Sequence, residues 1–97
     1  MRVAIAEDSV LLREGVARVL DDAGFDVVAQ CDNADDLLGQ VKGSPPDVVI
    51  LDIRLPPTHN DEGLQAALEL RSSNPQVGVL VLSQYVDAGL ALKLLAD

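Results

Sequence analysis

The sequence is poor in cysteine and in basic residues, and both shortages narrow the class of protein. Cys31 is the only cysteine among 97 residues, so no internal disulfide can form, and a single thiol is typical of the reducing cytosol. Seven lysines and arginines stand against 16 aspartates and glutamates, which gives a formal net charge of −9. Binding of nucleic acid or of an anionic membrane through clustered basic side chains is therefore disfavoured.

Signals for export and for membrane insertion are also missing from the pattern. Met1 leads directly into an apolar run, without the succession of basic, apolar and cleavage regions that marks a signal peptide. Every apolar run is much shorter than the roughly 20 residues that span a bilayer. With 48% hydrophobic and 24% charged residues, the sequence predicts one cytoplasmic domain over residues 1–97, with no membrane partner.

Short apolar runs alternate with segments of helical period. The runs, predicted as strands, are Val3–Ala6, Val27–Ala29, Asp47–Asp52 and Val77–Leu82. Helices are predicted after the N-caps Ser9 and Asn33, from Glu62 to Asn74, and over Val86–Ala96, and Gly24 is the predicted stop of the first. This order predicts an α/β fold, a doubly wound parallel sheet with helices on both faces.

The helical segments carry apolar faces at positions three and four residues apart. The apolar face of the first helix comprises Leu12, Val16, Val19, Leu20 and Ala23. In the third helix, Leu64, Ala67 and Leu68 are expected to be buried.

The fourth strand has no charged residue, although natural sheet edges are usually protected by charge or proline. The second strand, flanked by Asp26 and Gln30, is a better candidate for an edge. We therefore expect that a fifth strand normally covers the fourth and is absent from these residues. An uncovered fourth strand predicts a homodimer or higher oligomer, through that edge or an exchanged element.

Polar residues stand at the carboxyl ends of three predicted strands, where parallel sheets bind ligands. Glu7 and Asp8 follow the first strand, Asp52 ends the third and Ser83 follows the fourth. Each alone is more typical of a helix cap or a turn. Together they predict a Mg2+ site, because Mg2+ prefers oxygen ligands and is often held by carboxylates beside a phosphate. Asp52 could then act as a nucleophile towards a phosphoryl group.

Three blocks of the sequence match a known pattern: Ala6-Glu7-Asp8-Ser9, Asp47-Val-Val-Ile-Leu-Asp52-Ile-Arg-Leu-Pro56 and Val79-Leu-Val-Leu-Ser83. They resemble the receiver domain of bacterial two-component response regulators. The resemblance covers essentially the whole chain and implies the flavodoxin-like receiver fold, with strand order 2-1-3-4. Two stretches, Asp8-Ser9-Val-Leu-Leu-Arg-Glu-Gly and Leu82-Ser-Gln-Tyr85, are similar to the NarL/FixJ (LuxR-type) class in particular.

By this resemblance Asp52 accepts a phosphoryl group from a sensor histidine kinase, and Ser83 is the switch hydroxyl. Mg2+ is held by Glu7, Asp8, Asp52 and the backbone carbonyl of Arg54. The family implies a phosphorylation-controlled switch rather than an enzyme, with a C-terminal helix-turn-helix domain, absent here, that binds DNA to control transcription.

Three departures from the family pattern stand out. The lysine and the aromatic residue of the family's fifth strand have no counterpart, because Lys93 falls within the fourth predicted helix. The loop from Asp52 to Gly63 is longer than usual, and Gln84 follows Ser83 where a small residue is common. We expect Gln84 to crowd the pocket and tune the loss of phosphate.

Two other functions compete with the phosphorylated switch. A phosphohydrolase like the haloacid dehalogenases also has an aspartate nucleophile at a strand end, but it needs a second aspartate where this chain has Arg54. An unphosphorylated receiver-like module for interaction or dimerisation is the main alternative. Among single residues, His59 is expected to be solvated without a partner, and Cys31 to be a half-buried thiol at a strand end.

Overall fold

The structure, a computed structural model, describes residues 1–82. Seven elements alternate along this part of the chain, in the predicted order. The strands are β1 (Arg2–Ala6), β2 (Asp26–Cys31), β3 (Val48–Asp52) and β4 (Gly78–Leu82), and the helices are α1 (Val10–Asp22), α2 (Ala34–Gly43) and α3 (Glu62–Ser73). Ser83, Gln84, Lys93 and the helix predicted over Val86–Ala96 lie outside the described residues.

The four strands form one parallel sheet in the order β2-β1-β3-β4, as predicted. β1 pairs with both β2 and β3, and β3 pairs with β4. The central strands β1 and β3 are apolar on both faces, which is why all their residues except Arg2 and Val48 are buried. Because β1 and β3 pair in parallel, their carboxyl ends lie side by side, with Ala6 opposite Leu51.

The ends of two helices follow the predicted chemistry. The Ser9 side chain accepts a hydrogen bond from the Leu12 N–H at 3.3 Å, and the Asn33 side chain accepts one from the Asp36 N–H at 2.8 Å. Each satisfies a backbone donor that the first helical turn leaves open. Gly24 follows α1 with φ +92°, a left-handed conformation that glycine adopts without steric cost.

The prediction for the buried face of α3 was partly wrong. The buried residues are Gly63, Ala66, Ala67 and Leu70, whereas Leu68 is 45% exposed and Leu64 is half-buried. The reason is a close approach of the helix to β3 at Gly63, where a Cβ would overlap the carbonyl oxygen of Asp52. A helix this close to the sheet presents small residues to it.

The apolar face predicted for α1 is only partly covered in residues 1–82. Ala17 is its one buried residue, with Val16 and Leu20 half-buried against the sheet. Val19, by contrast, is 69% exposed and Leu12 is 36% exposed. Nothing in the described part of the chain packs over these two side chains closely enough to bury them.

Cys31 is the last residue of β2 and is buried, more completely than the half-buried state predicted for it. It packs in the cluster between the sheet and the helices α2 and α3. Burial raises the pKa of the Cys31 thiol, so the reactive thiolate is disfavoured. This cysteine is a packing residue.

Candidate functional site

Three carboxylates meet at the carboxyl edge of the sheet. Glu7 and Asp8 directly follow β1, and Asp52 is the last residue of its neighbour β3. One oxygen from each can be chosen so that all three lie within 4.8 Å of one another. The structure thus brings together residues that stand up to 45 positions apart in the sequence.

The three side chains differ in their access to solvent. Glu7 is 4% exposed and Asp52 is 7% exposed, and they are the buried charged residues of the described chain. The Asp8 side chain is 33% exposed and lies at the mouth of the group. We call these three carboxylates, Glu7, Asp8 and Asp52, the acidic pocket. A small ion or group can therefore reach it past Asp8 while Glu7 and Asp52 stay covered.

The pocket shows the electrostatic cost of crowded carboxylates. Burial, with smaller contributions from Asp52 and Asp8, raises the pKa of Glu7 to about 7. A hydrogen bond from the Ser9 backbone N–H to Glu7 Oε1, at 3.2 Å, acts in the opposite direction. The pKa of Glu7 is raised in spite of this bond. A cation bound among these oxygens would therefore stabilise the ionised form of Glu7.

The donor set of the acidic pocket fits a hard divalent cation. All its ligand atoms are carboxylate oxygens, the type that Mg2+ prefers. Mg2+ holds oxygens at about 2.1 Å, so any two of its ligands lie no more than about 4.2 Å apart, and the pocket oxygens all lie within 4.8 Å of one another. Mg2+ also keeps several waters, which the exposed side of the pocket allows.

The backbone around Asp52 is tightly held. The Arg54 backbone N–H donates to Asp52 Oδ1 at 3.2 Å, and the Gly63 N–H donates to the Ile53 carbonyl at 2.8 Å. A Cβ on Gly63 would lie 2.7 Å from the carbonyl carbon of Asp52, so only glycine fits there. The start of α3 thus fixes the chain directly after β3. The structure puts Arg54 beside Asp52, and the ligand role of its carbonyl stays a prediction.

The loop between β3 and α3 is held by hydrogen bonds to Glu62, the first residue of α3. Its carboxylate accepts from the Thr58 backbone N–H at 2.7 Å and from the Thr58 hydroxyl at 2.7 and 2.8 Å. The Asn60 N–H donates to it as well, at 3.3 Å. These bonds, led by that of the Thr58 hydroxyl, lower the pKa of Glu62 to about 2. The long loop is therefore a folded segment.

His59, at the tip of this loop, reaches the acidic pocket. Its Nε2 lies 2.8 Å from Oδ2 of Asp8, across 51 positions of sequence. The prediction that His59 has no partner was wrong. From the local sequence alone, a histidine in a loop is expected to contact only solvent. The fold, however, brings the loop after β3 close to Asp8, which follows β1. The signal available was topological: His59 follows a strand that neighbours the strand before Asp8.

Comparison with known proteins gives one family. The model of the response regulator receiver domain matches residues 3–97. The transcriptional regulatory protein LnrK of Bacillus subtilis is 32% identical over 98 residues, covering 100% of this chain and 43% of LnrK. A protein-glutamate methylesterase/protein-glutamine glutaminase of Paramagnetospirillum magneticum is 38% identical over 88 residues, covering 90% of this chain and 24% of that enzyme.

Solved structures agree with the family match. A NarL signal receiver domain from Mycobacterium tuberculosis superposes with a TM-score of 0.84 at 33% identity, covering 98% of this chain and 75% of that one. This chain spans less than half the length of the two curated relatives above. Among the helices of residues 1–82, none combines the length and apolar character needed to cross a membrane.

Proposed function

Because the chain belongs to the family of response regulator receiver domains, we propose that it accepts a phosphoryl group on Asp52 from a sensor histidine kinase. Receiver domains of this family are the regulated part of two-component response regulators, generally without enzymatic activity of their own. The observation that carries the proposal is the placement of Asp52, buried at a strand end within 4.8 Å of Glu7 and Asp8.

The transfer needs little covalent chemistry from the protein. An oxygen of the Asp52 carboxylate attacks the phosphorus of a phosphohistidine, and a P–O bond forms while the P–N bond breaks. The electron pair of the P–N bond stays with the imidazole nitrogen of the kinase, which takes up a proton from solvent, and Asp52 becomes an acyl phosphate. Positioning and charge neutralisation supply the rate. Positioning is supported by the Arg54 N–H bond to Oδ1, which orients the Asp52 carboxylate.

Glu7, Asp8, Asp52 and the backbone carbonyl of Arg54 would hold Mg2+ in the acidic pocket. When bound, the ion neutralises the crowded carboxylates and the oxygens of the incoming phosphoryl group. The oxygen-only donor set supports this assignment. So does the raised pKa of Glu7, since a carboxylate buried among like charges without a cation holds its proton more strongly.

Phosphorylation would switch an interaction surface. The Ser83 hydroxyl would donate to a phosphoryl oxygen and shift an existing equilibrium between two arrangements of the surface around it. In the parent protein, active in the cytoplasm, the outcome would be homodimerisation and DNA binding by a C-terminal helix-turn-helix domain. The similarity to LnrK, a transcriptional regulatory protein, supports this output.

The test is the intact mass of the 97-residue chain after incubation with acetyl phosphate and Mg2+. We expect an adduct of one phosphoryl group on the wild type and none on Asp52→Asn. Asp47→Asn is the matched control, because Asp47 directly precedes β3 at the opposite edge of the sheet. It should be labelled like the wild type. An equal adduct on Asp52→Asn, or none on the wild type, would contradict the proposal.

A second candidate is an unphosphorylated module for interaction or dimerisation. The observation that favours it is the exposure of large apolar side chains, with Leu11 85%, Val19 69% and Leu80 42% exposed. Such surface is typical of contact sites when it is contiguous. A chain that forms dimers by light scattering but takes no phosphoryl group would favour this candidate.

A further inference from the structure

We propose that His59 is a positioning residue of the acidic pocket, holding the Asp8 carboxylate in the orientation that binds the cation. The proposal rests on the function given above, because it concerns the same Mg2+ site. It adds a residue outside the set of ligands, carried by the loop between β3 and α3. The contact behind it is the 2.8 Å approach of His59 Nε2 to Asp8 Oδ2.

This contact joins the two segments that supply the pocket. Glu7 and Asp8 belong to the connection between β1 and α1, whereas Asp52 begins the connection between β3 and α3. Since His59 lies in the second connection and bonds to the first, it holds them together across the mouth of the pocket. The distance between the pocket carboxylates therefore depends on His59 as well as on the pairing of β1 with β3.

The loop presents His59 in a preformed conformation. The His59 backbone N–H donates to the carbonyl of Leu55 at 3.1 Å, and Leu55 is 0% exposed, so this bond anchors the loop to the core. On either side of His59, Thr58 and Asn60 donate to the Glu62 carboxylate. These bonds fix the backbone that carries the His59 side chain, which is itself 51% exposed, so only the side chain has to be ordered when it holds Asp8 in place.

The backbone of His59 has a left-handed conformation, with φ +58°. This region is uncommon outside glycine, although histidine, asparagine and aspartate enter it more readily than other residues. The loop thus adopts at His59 a conformation that most residues disfavour. It is in this conformation that the imidazole reaches Asp8.

Asp8 is the pocket residue that needs such support. It is the most exposed of the three carboxylates, with a side chain 33% open to solvent, whereas Glu7 and Asp52 are buried. In the His59 tautomer that carries a proton on Nε2, this nitrogen donates to the Asp8 carboxylate. With Asp8 Oδ2 engaged by His59, Oδ1 would be the oxygen left for a cation. Partners of metal-binding carboxylates commonly act in this way.

The test compares the Mg2+ affinity of the full chain and two variants by isothermal titration calorimetry. Asparagine tolerates the left-handed backbone but is too short to place a donor where Nε2 lies, so His59→Asn isolates the side-chain contact. Glutamine can place its amide N–H near that point, so His59→Gln is the conservative variant. We expect His59→Asn to bind Mg2+ about tenfold more weakly than the wild type. This is the low end of the loss of metal affinity usual when a partner of a metal ligand is removed, because the His59–Asp8 pair is exposed. We expect His59→Gln to recover most of the loss.

Several outcomes would overturn the inference. It fails if His59→Asn binds Mg2+ like the wild type. A parallel titration with Ni2+, which favours imidazole ligands, separates positioning from ligation. A positioning residue lowers both affinities by a similar factor, whereas a loss confined to Ni2+ would make His59 a ligand. A wild type that binds no Mg2+ would remove the proposed metal site and this inference together, whereas a wild type that binds it with no effect of His59 removes the inference alone.

A second measurement needs no metal. In the metal-free chain, loss of the contact should loosen the connection that carries Asp8. We expect faster amide hydrogen exchange at Ser9 in His59→Asn than in the wild type, with exchange in β2 unchanged. Equal exchange at Ser9 would contradict a role in holding Asp8.

Discussion

The two faces of the sheet are packed very differently. Among residues 1–82, 13 buried residues form one cluster on the side of α2 and α3, among them Leu37 and Leu70 at 0% and 1% exposure. On the side of α1, the corresponding cluster has four buried residues within the same range. Large apolar side chains of α1 remain open, including Leu11 at 85% exposure. The densely packed face therefore supplies most of the stability of the described chain.

This difference extends to the acidic pocket. Asp52 leads into a loop anchored on the dense face, through buried Leu55 and the close approach of Gly63. Glu7 and Asp8 lead into α1, on the open face. One half of the pocket is thus built on a rigid support and the other on a lightly packed helix. The contact of His59 with Asp8 connects the two.

The largest expected effect on stability is the difference between two leucine substitutions, one on each face of the sheet. Leu37→Ala removes a fully buried side chain from the dense cluster and should lower the free energy of unfolding by about 2–5 kcal/mol. Leu11→Ala, the matched change on α1, should alter it by less than about 0.5 kcal/mol, because Leu11 is 85% exposed. Urea unfolding followed by circular dichroism measures both. Similar losses would show that the α1 face carries as much of the stability as the other.

Gly63→Ala should be nearly as damaging, although it adds only a methyl group. The new Cβ would overlap the backbone of Asp52, which cannot yield as a flexible side chain can, and we expect a loss of about 3 kcal/mol. Gly39→Ala in α2, where nothing lies within 4 Å, should instead stabilise the chain by up to about 1 kcal/mol. The same urea experiment measures both. A neutral Gly63→Ala would mean that α3 can move away from β3 at little cost.

The smallest of the three effects should appear as a pH dependence. The folded state raises the pKa of Glu7 from 4.5 to about 7, so below pH 4.5 Glu7 is protonated in both states and its contribution to stability is fully present. As the pH rises from 4.5 to 7 the unfolded chain ionises first, and the free energy of unfolding should fall by up to about 3 kcal/mol. Partial relaxation of the site when Glu7 ionises reduces the observed fall below this limit.

The control for this pH dependence is Glu7→Gln, which has no proton to lose. The difference in unfolding free energy between wild type and Glu7→Gln, followed by urea unfolding from pH 4.5 to 7.5, isolates the titration of Glu7. Saturating Mg2+ should reduce the fall for the wild type, because the cation favours ionised Glu7. Parallel pH profiles for the two proteins would contradict the raised pKa.

Much of the fold could be predicted from the sequence because it depends on local signals. Apolar runs and helical period located the elements, and Ser9, Asn33 and Gly24 marked helix ends by chemistry within a few residues. The convergence of Glu7, Asp8 and Asp52 also followed, since parallel strands align their carboxyl ends.

What could not be predicted depends on distances between elements. Leu68 was expected inside because it is large and apolar, but the close approach at Gly63 selects the small Ala66 and Ala67 instead. The partner of His59 depends on the conformation of a loop whose internal bonds involve Thr58, Asn60 and Glu62. Local periodicity contains no information on either.

The contact of Gly63 with the backbone of Asp52 also limits how a disturbance at the end of β3 can spread. Atoms already in contact leave no free volume, so the carbonyl of Asp52 cannot shift towards α3 unless the helix shifts with it. The hydrogen bond from the Gly63 N–H to the Ile53 carbonyl, at 2.8 Å, also opposes a movement of the end of β3 away from α3. A displacement of this strand end would therefore reach the far end of α3, at Ser73, as a movement of the whole helix.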